Sequence, residues 1–115
     1  LKYILACTST YPSIIDELNL NYIKTLKDTY PHIKVGFSNH YSGLDASLAA
    51  TALGSECIEF HITDSRTQFG TDQAASIENS KELVRQINIV SAMLGDGVKR
   101  VYDSEIPIMN KLRKV

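Results

Sequence analysis

Three short apolar runs alternate with three helix-forming segments along this chain, and the alternation limits the folds open to it. The apolar runs, each of which ends in polar residues, are 2–8, 33–38 and 57–63. The helix-forming segments are 20–30, 46–53 and 78–94. Repeated strand–helix alternation is typical of an α/β fold, a parallel sheet covered by helices. Ligands of such sheets bind at the edge where the strands have their carboxyl ends.

Residues with known end preferences bound the predicted helices. Asn19 is a candidate cap for the first helix, with a start nearer Asp16 as the alternative, and Pro31 stops it. Gly54 and Gly95 are expected to end the second and third helices, because glycine is favoured just after a last helical turn.

Size and charge exclude several classes of protein. The chain has 115 residues, enough for one domain, and its 43% apolar and 22% charged residues are typical of a folded protein. A formal net charge of −1 disfavours a nucleic-acid partner, and no apolar run is long enough to predict a membrane span. No signal peptide is visible. Cys7 and Cys57 show no disulfide spacing, so a cytoplasmic location is the simplest prediction.

Side-chain alternation brings polar residues of the second and third predicted strands to one face. Successive residues of a strand point to opposite sides of the sheet. In the third strand, Cys57, Glu59 and His61 share the face opposite the apolar one. In the second strand, Ser38 and His40 share a face in the same way. We therefore expect two neighbouring strands to present a histidine at one sheet edge, with the serine and the glutamate just below.

Two histidines that converge at a strand edge predict a metal site. His40 and His61 suit a divalent ion such as Mn²⁺, Zn²⁺ or Fe²⁺, with positions left for water or substrate. The alternative is that each is only a hydrogen-bonded polar strand end. Glu59 can orient a ligand histidine, act as acid or base, or form a structural ion pair, for example with a lysine. His32, after a proline, is expected to be a solvated loop residue.

Two polar loops follow predicted strands at the same edge. The side chains able to bind an anion or sugar hydroxyls are Arg66, Asp72 and Gln73 in one loop and Thr8, Ser9 and Tyr11 in the other. From the residues alone, solvated surface turns are the commoner outcome.

Several short strings occur in an order that matches a known family. They are 7–12 (CTSTYP), 19–20 (NL), 35–40 (VGFSNH), 59–63 (EFHIT), 70–76 (GTDQAAS), 94–97 (LGDG) and 104–107 (SEIP). Together they resemble the sialic acid (N-acetylneuraminate) synthase family, which includes legionaminic and pseudaminic acid synthases. The resemblance covers essentially the whole chain, and the ordered set is specific although each string is short.

The resemblance implies a (β/α)8 TIM barrel, of which residues 1–95 would form the last three β/α units. Such a barrel needs about 250 residues, so most of it would be missing. A first residue Leu1 rather than Met agrees with a processed chain or a piece of a longer one. The basic, weakly patterned segment 96–115 would be a terminal segment or a linker toward an absent C-terminal domain.

The resemblance also implies a reaction. Enzymes of this family are transferases (EC 2.5.1 class) that condense phosphoenolpyruvate with an N-acetylhexosamine such as N-acetylmannosamine. The products are phosphate and a nine-carbon 2-keto acid of the sialic acid type, used in surface polysaccharides. A divalent ion, commonly Mn²⁺ or Mg²⁺, polarises the sugar aldehyde. The full-length form is expected to be a homo-oligomer.

By position, His40 and His61 resemble the family's metal ligands, and Glu59 resembles the glutamate beside the metal. Asp72 resembles a contact to the amino sugar and to the metal-bound water, so Glu59 and Asp72 are the candidate catalytic residues.

Three further positions resemble substrate contacts, and two depart from the family pattern. Ser9 and Ser38 resemble residues near the phosphate or carboxylate of phosphoenolpyruvate, and Tyr11 resembles a contact to the amino sugar. Asn39 stands where Asp is common, and Gln73 where some members have His, which affects the prediction of the substrate more than that of the reaction.

The family's phosphate-binding lysines would lie in strands that this chain lacks. We therefore expect the chain alone to bind phosphoenolpyruvate poorly and to have no synthase activity. The alternatives are a truncated α/β module that folds or oligomerises through its open sheet edges without chemistry, and a small open α/β binding module.

Overall fold

The computed structural model describes residues 2–65 and 76–113, and they form an α/β fold with three parallel strands. The strands are β1 (Tyr3–Cys7), β2 (Lys34–Asn39) and β3 (Ile58–Phe60). The helices are α1 (Tyr22–Thr29), α2 (Asp45–Ala52), α3 (Ser80–Leu94) and α4 (Ile106–Leu112). Short 3-10 turns lie at Ile15–Glu17 and Asp103–Glu105. Within this part of the chain, none of the helices has the length and apolar character needed to cross a membrane.

The sheet has the order β1-β2-β3, which confirms the predicted parallel arrangement. Cys7 pairs with Ser38, and Ser38 pairs with Glu59, so these three residues form a row across the carboxyl ends of the strands. The register makes neighbouring side chains of equal parity point to the same face of the sheet.

The core lies between the sheet and helices α1 and α2. Its buried apolar residues are Ala6, Ile23, Leu26, Val35, Phe37, Ala46 and Ala50. Val35 and Phe37 come from the central strand, and Ile58 of β3 packs against the same cluster. Burial of each large side chain contributes about 1.5–3 kcal/mol, so this face holds the sheet and its helices together. The alternate, polar side chains of β2 and β3 therefore point to the opposite face of the sheet.

Several element ends differ from the sequence prediction. The prediction that Asn19 caps α1 is wrong, because the helix begins at Tyr22 and Asn19 adopts a left-handed conformation (φ 45°) in the turn before it. β3 is shorter than the predicted run, because β2 ends at Asn39 and Ile62 bridges to Ile77 instead. Gly95 follows the end of α3 with a positive φ, as expected.

The segment after α3 contains more structure than its weak pattern indicated. α4 forms there, with a proline in its first turn. In the 3-10 turn just before it, the Tyr102 backbone N–H donates to a Glu105 carboxylate oxygen at 2.7 Å. A helix of this length offers too few periodic positions to be recognised from sequence.

Gly36 allows β2 and β3 to approach closely. A Cβ atom there would overlap Cys57 Sγ and would lie 2.6 Å from the Cys57 carbonyl oxygen. We expect Gly36→Ala to lower the free energy of unfolding by about 1–3 kcal/mol in urea denaturation. Adding Cys57→Ala should recover only part of the loss, because the carbonyl remains. Ala52→Ser, at an exposed helical site, is the control. Unchanged stability in Gly36→Ala would contradict this strand spacing.

Candidate functional site

Polar side chains gather where the three strands end. Thr8 and Ser9 follow β1, His40 comes directly after β2, and His61 comes directly after β3. Because parallel strands have their carboxyl ends at one edge, these residues lie at the same edge of the sheet.

The two histidines predicted to converge lie side by side. The ring centroids of His40 and His61 are 5.8 Å apart, with the ring planes at 78°. The Tyr11 ring lies 4.3 Å from the His40 ring and 6.1 Å from the His61 ring, measured between centroids. The structure therefore brings a tyrosine from the loop after β1 onto the histidine pair.

His40 is buried and held by the backbone. Its Nδ1 lies 2.9 Å from the Thr8 carbonyl oxygen, and Cys7 Sγ lies 3.6 Å from the same nitrogen. A carbonyl oxygen can only accept a hydrogen bond, so in the neutral ring the proton lies on Nδ1. The lone pair is then on Nε2, and this nitrogen is available to a metal ion.

Glu59 lies between Ser38 and His61. The Ser38 hydroxyl donates a short hydrogen bond to Glu59 Oε2, while Glu59 Oε1 lies 3.9 Å from His61 Nε2. The carboxylate side chain is half exposed. Of the alternatives open from sequence, the geometry favours a carboxylate that orients Ser38 and lies close to His61. Among the described residues, no lysine forms an ion pair with it.

Of the remaining predicted site residues, one lies near the site and the others fall outside the described residues. Ser9 Oγ lies 3.6 Å from Cys7 Sγ, the same atom that lies 3.6 Å from His40 Nδ1, so Ser9 is linked to His40 through Cys7. Asp72 falls outside the described residues, as do Arg66 and Gln73.

Asn39 is buried, and its side chain pairs with the chain's own backbone. Its Nδ2 donates to the Tyr41 carbonyl oxygen, and its Oδ1 accepts from the Tyr41 N–H, both at 3.1 Å. An aspartate could reproduce only the second bond. Asn39 therefore fixes the turn that contains His40, and sequence reasoning did not single out this local, Asx-type pairing.

The donor set at this edge fits a divalent ion of intermediate softness. It contains two imidazoles, with a carboxylate nearby. Among residues 2–65 and 76–113, no group of three or more His, Cys, Asp or Glu side chains is arranged to hold an ion. The thiol of Cys57 is not a further ligand, because Cys57 precedes β3 at the end of that strand opposite to His61 and lies against Gly36.

Comparison with known proteins identifies the family. The sequence profile of the NeuB family matches residues 2–99, so the chain belongs to this family. N-acetylneuraminate-9-phosphate synthase of Homo sapiens is 38% identical over 112 residues, which cover 96% of this chain and 31% of that protein. N,N'-diacetyllegionaminic acid synthase of Campylobacter jejuni is 40% identical over 113 residues, covering 96% and 34%. The chain thus spans about a third of the length of these curated relatives.

The fold is shared with a solved structure of similar sequence. The N-acetylneuraminic acid (sialic acid) synthetase of Leptospira borgpetersenii matches with a TM-score of 0.80 and 36% identity over 98% of this chain and 41% of that chain. The resemblance inferred from the ordered motifs is therefore confirmed at the level of the family.

The Ser38–Glu59 hydrogen bond is testable by a double-mutant cycle. With Ser38→Ala and Glu59→Ala, we expect a coupling energy of about 1 kcal/mol in urea denaturation, because the bond involves a charged but half-exposed acceptor. Ser38→Ala combined with Glu56→Ala is the control, since Glu56 accepts from the Val35 N–H instead. Additive losses in both cycles would show that Ser38 and Glu59 do not interact.

Proposed function

We propose that this chain supplies one part of a synthase site that condenses phosphoenolpyruvate with an N-acetylhexosamine, such as N-acetylmannosamine. The products would be phosphate and a sialic acid-type 2-keto acid for surface polysaccharide. The supporting observation is the cluster of Tyr11, His40 and His61 at one sheet edge, with Ser38 and Glu59 beside it, in a member of the NeuB family. Relatives named as N-acetylneuraminate-9-phosphate and legionaminic acid synthases support the same substrate class.

We propose a (β/α)8 barrel for the whole protein, with residues 1–95 as its last three units. Residues 96–115 would connect it to a further domain. A cytoplasmic location and a homo-oligomeric full-length form belong to the same proposal. The parallel three-stranded sheet and the match to a longer synthetase chain support it.

In this proposal, His40 and His61 hold a divalent ion, Mn²⁺ or Mg²⁺. When bound, the ion supplies Lewis acidity toward a substrate carbonyl oxygen. The protein's contribution is to hold both imidazoles close together, with His40 fixed through its Nδ1 proton. Glu59, beside His61, is proposed, together with Asp72, as a group that can accept or return a proton during the condensation.

The Ser38 hydroxyl has one proton, and in this structure that proton is directed to Glu59. Ser38 can therefore donate to an oxygen of phosphoenolpyruvate only after it releases Glu59. We infer that binding of the anion at Ser38 and the state of the Glu59 carboxylate are coupled. Ser9 and Tyr11 supply further hydroxyl groups at this edge, and Asp72 is proposed as the contact to the amino sugar.

The groups that the described residues assemble at this edge are hydroxyl, thiol, imidazole and carboxylate. Phosphoenolpyruvate carries several negative charges, which neutral hydroxyl groups alone compensate poorly. We therefore propose that the chain alone binds phosphoenolpyruvate weakly and is inactive. Release of phosphate from phosphoenolpyruvate and N-acetylmannosamine by the purified chain would contradict this.

A second candidate function is a non-catalytic module that associates through its sheet. In the described sheet, β1 and β3 each pair with β2 on one side only. Unpaired strand edges favour association between chains. Such a module would require neither histidine, so metal binding separates the two candidates.

Calorimetric titration of Mn²⁺ into the purified chain tests the proposal. We expect binding that is lost in His40→Ala and in His61→Ala, because each variant removes one of two ligands. His32→Ala is the matched control, since His32 is exposed and precedes β2 at the opposite end of the sheet. Binding that survives in both site variants, or that is absent from the parent chain, would contradict a metal site formed by His40 and His61.

A further inference from the structure

Ser13 is a buried polar residue that contacts both the backbone of His40 and the carbonyl group that binds the His40 ring. It lies in the loop after β1 and is 3% exposed. Its backbone N–H donates to the carbonyl oxygen of His40 at 2.8 Å. Its hydroxyl donates to the carbonyl oxygen of Thr8 at 3.0 Å, with the Thr10 carbonyl oxygen as a second acceptor at 3.1 Å. A single serine therefore joins the loop that carries Tyr11 to the end of β2.

The Thr8 carbonyl oxygen is the acceptor that also receives the Nδ1 proton of His40. A carbonyl oxygen has two lone pairs, so it can accept from both Ser13 and His40. The Ser13 hydroxyl therefore hydrogen-bonds to the Thr8 carbonyl, which in turn binds the His40 imidazole. The Ser13 N–H hydrogen-bonds to the backbone carbonyl of the same histidine. Together these contacts restrain both the position and the rotation of the ring.

We propose that Ser13 is a positioning residue for His40. By keeping the Thr8 carbonyl directed at Nδ1, it sets the tautomer of the ring and leaves the Nε2 lone pair for a ligand. Direct hydrogen-bond partners of a ligand imidazole typically change metal affinity by about 10–100-fold when they are removed, and Ser13 acts one contact further out, through the Thr8 carbonyl. The link to metal binding rests on the function proposed above, whereas the link to the tautomer does not require any metal.

Ser47 provides a matched control. It is also a fully buried serine, but among the described residues its hydroxyl has no hydrogen-bond partner. Ser47→Ala removes the same atom from a similar depth without changing the contacts of Thr8 or His40. Ser13→Thr retains a hydroxyl at position 13 and serves as the conservative variant.

The first measurement is the ¹⁵N chemical shifts of the His40 ring nitrogens. It is made on the metal-free chain well above the ordinary imidazole pKa of about 6.5. We expect the Nδ1–H form to dominate in the parent, in Ser13→Thr and in Ser47→Ala. In Ser13→Ala we expect a shift toward the Nε2–H form, because the Thr8 carbonyl is no longer held. The second measurement is Mn²⁺ affinity, expected to fall by up to about tenfold in Ser13→Ala alone, because Ser13 acts through the Thr8 carbonyl.

The two measurements separate this inference from the proposed function. An Nε2–H ring in the parent, or a ring in Ser13→Ala identical to the parent, overturns the positioning role. A shifted tautomer in a chain that does not bind Mn²⁺ supports the role of Ser13 and refutes the metal site. Weaker Mn²⁺ binding without a change of tautomer also overturns the inference. If Ser13→Ala does not fold, Ser13→Cys, a weaker donor of similar size, replaces it and should give an intermediate tautomer ratio.

Discussion

In the described sheet, the hydrogen bonds of β2 to both neighbours set the register on which the candidate site depends. Ser38 lies opposite Cys7 on one side and Glu59 on the other. A shift of one residue in either pairing would turn a strand's polar side chains to the core face. The close approach of β3 at Gly36 and the burial of Phe37 both support this register, so the stability of the apolar face and the position of the polar face are physically linked.

Hydrogen bonds to backbone groups around His40 fix the position of its ring. The Thr8 carbonyl holds the ring, Ser13 holds that carbonyl and the histidine backbone, and Asn39 pairs with both backbone groups of Tyr41. Each of these contacts is made by a buried group, for which an unmade hydrogen bond would cost about 1–3 kcal/mol. The ring is thus fixed before any ligand is present, which is the condition under which a metal ligand is effective.

Sequence reasoning predicted the parallel sheet and the convergence of His40 with His61. Both follow from local properties: period-two alternation within a strand, and the common direction of strands joined by helices. It missed the pairing of Asn39 with Tyr41, which is local and of the Asx-turn type. It could not predict the Ser13 contacts, because these depend on the path of two loops rather than on residue spacing. The same limit applies to β3, whose length is set by where its neighbour β2 ends, and to α4, which is too short for a periodic signal.

Paramagnetic broadening by Mn²⁺ tests the central claim most directly, because it locates the ion without substitutions. Substoichiometric Mn²⁺ is added to the isotopically labelled chain, and loss of NMR signal is mapped residue by residue. The account predicts that signals of Tyr11, His40 and His61 disappear first, while those of His32 and Lys34, at the opposite end of β2, persist. Broadening centred on the opposite end, or spread evenly over exposed carboxylates elsewhere in the chain, would contradict a metal site at the carboxyl edge of the sheet.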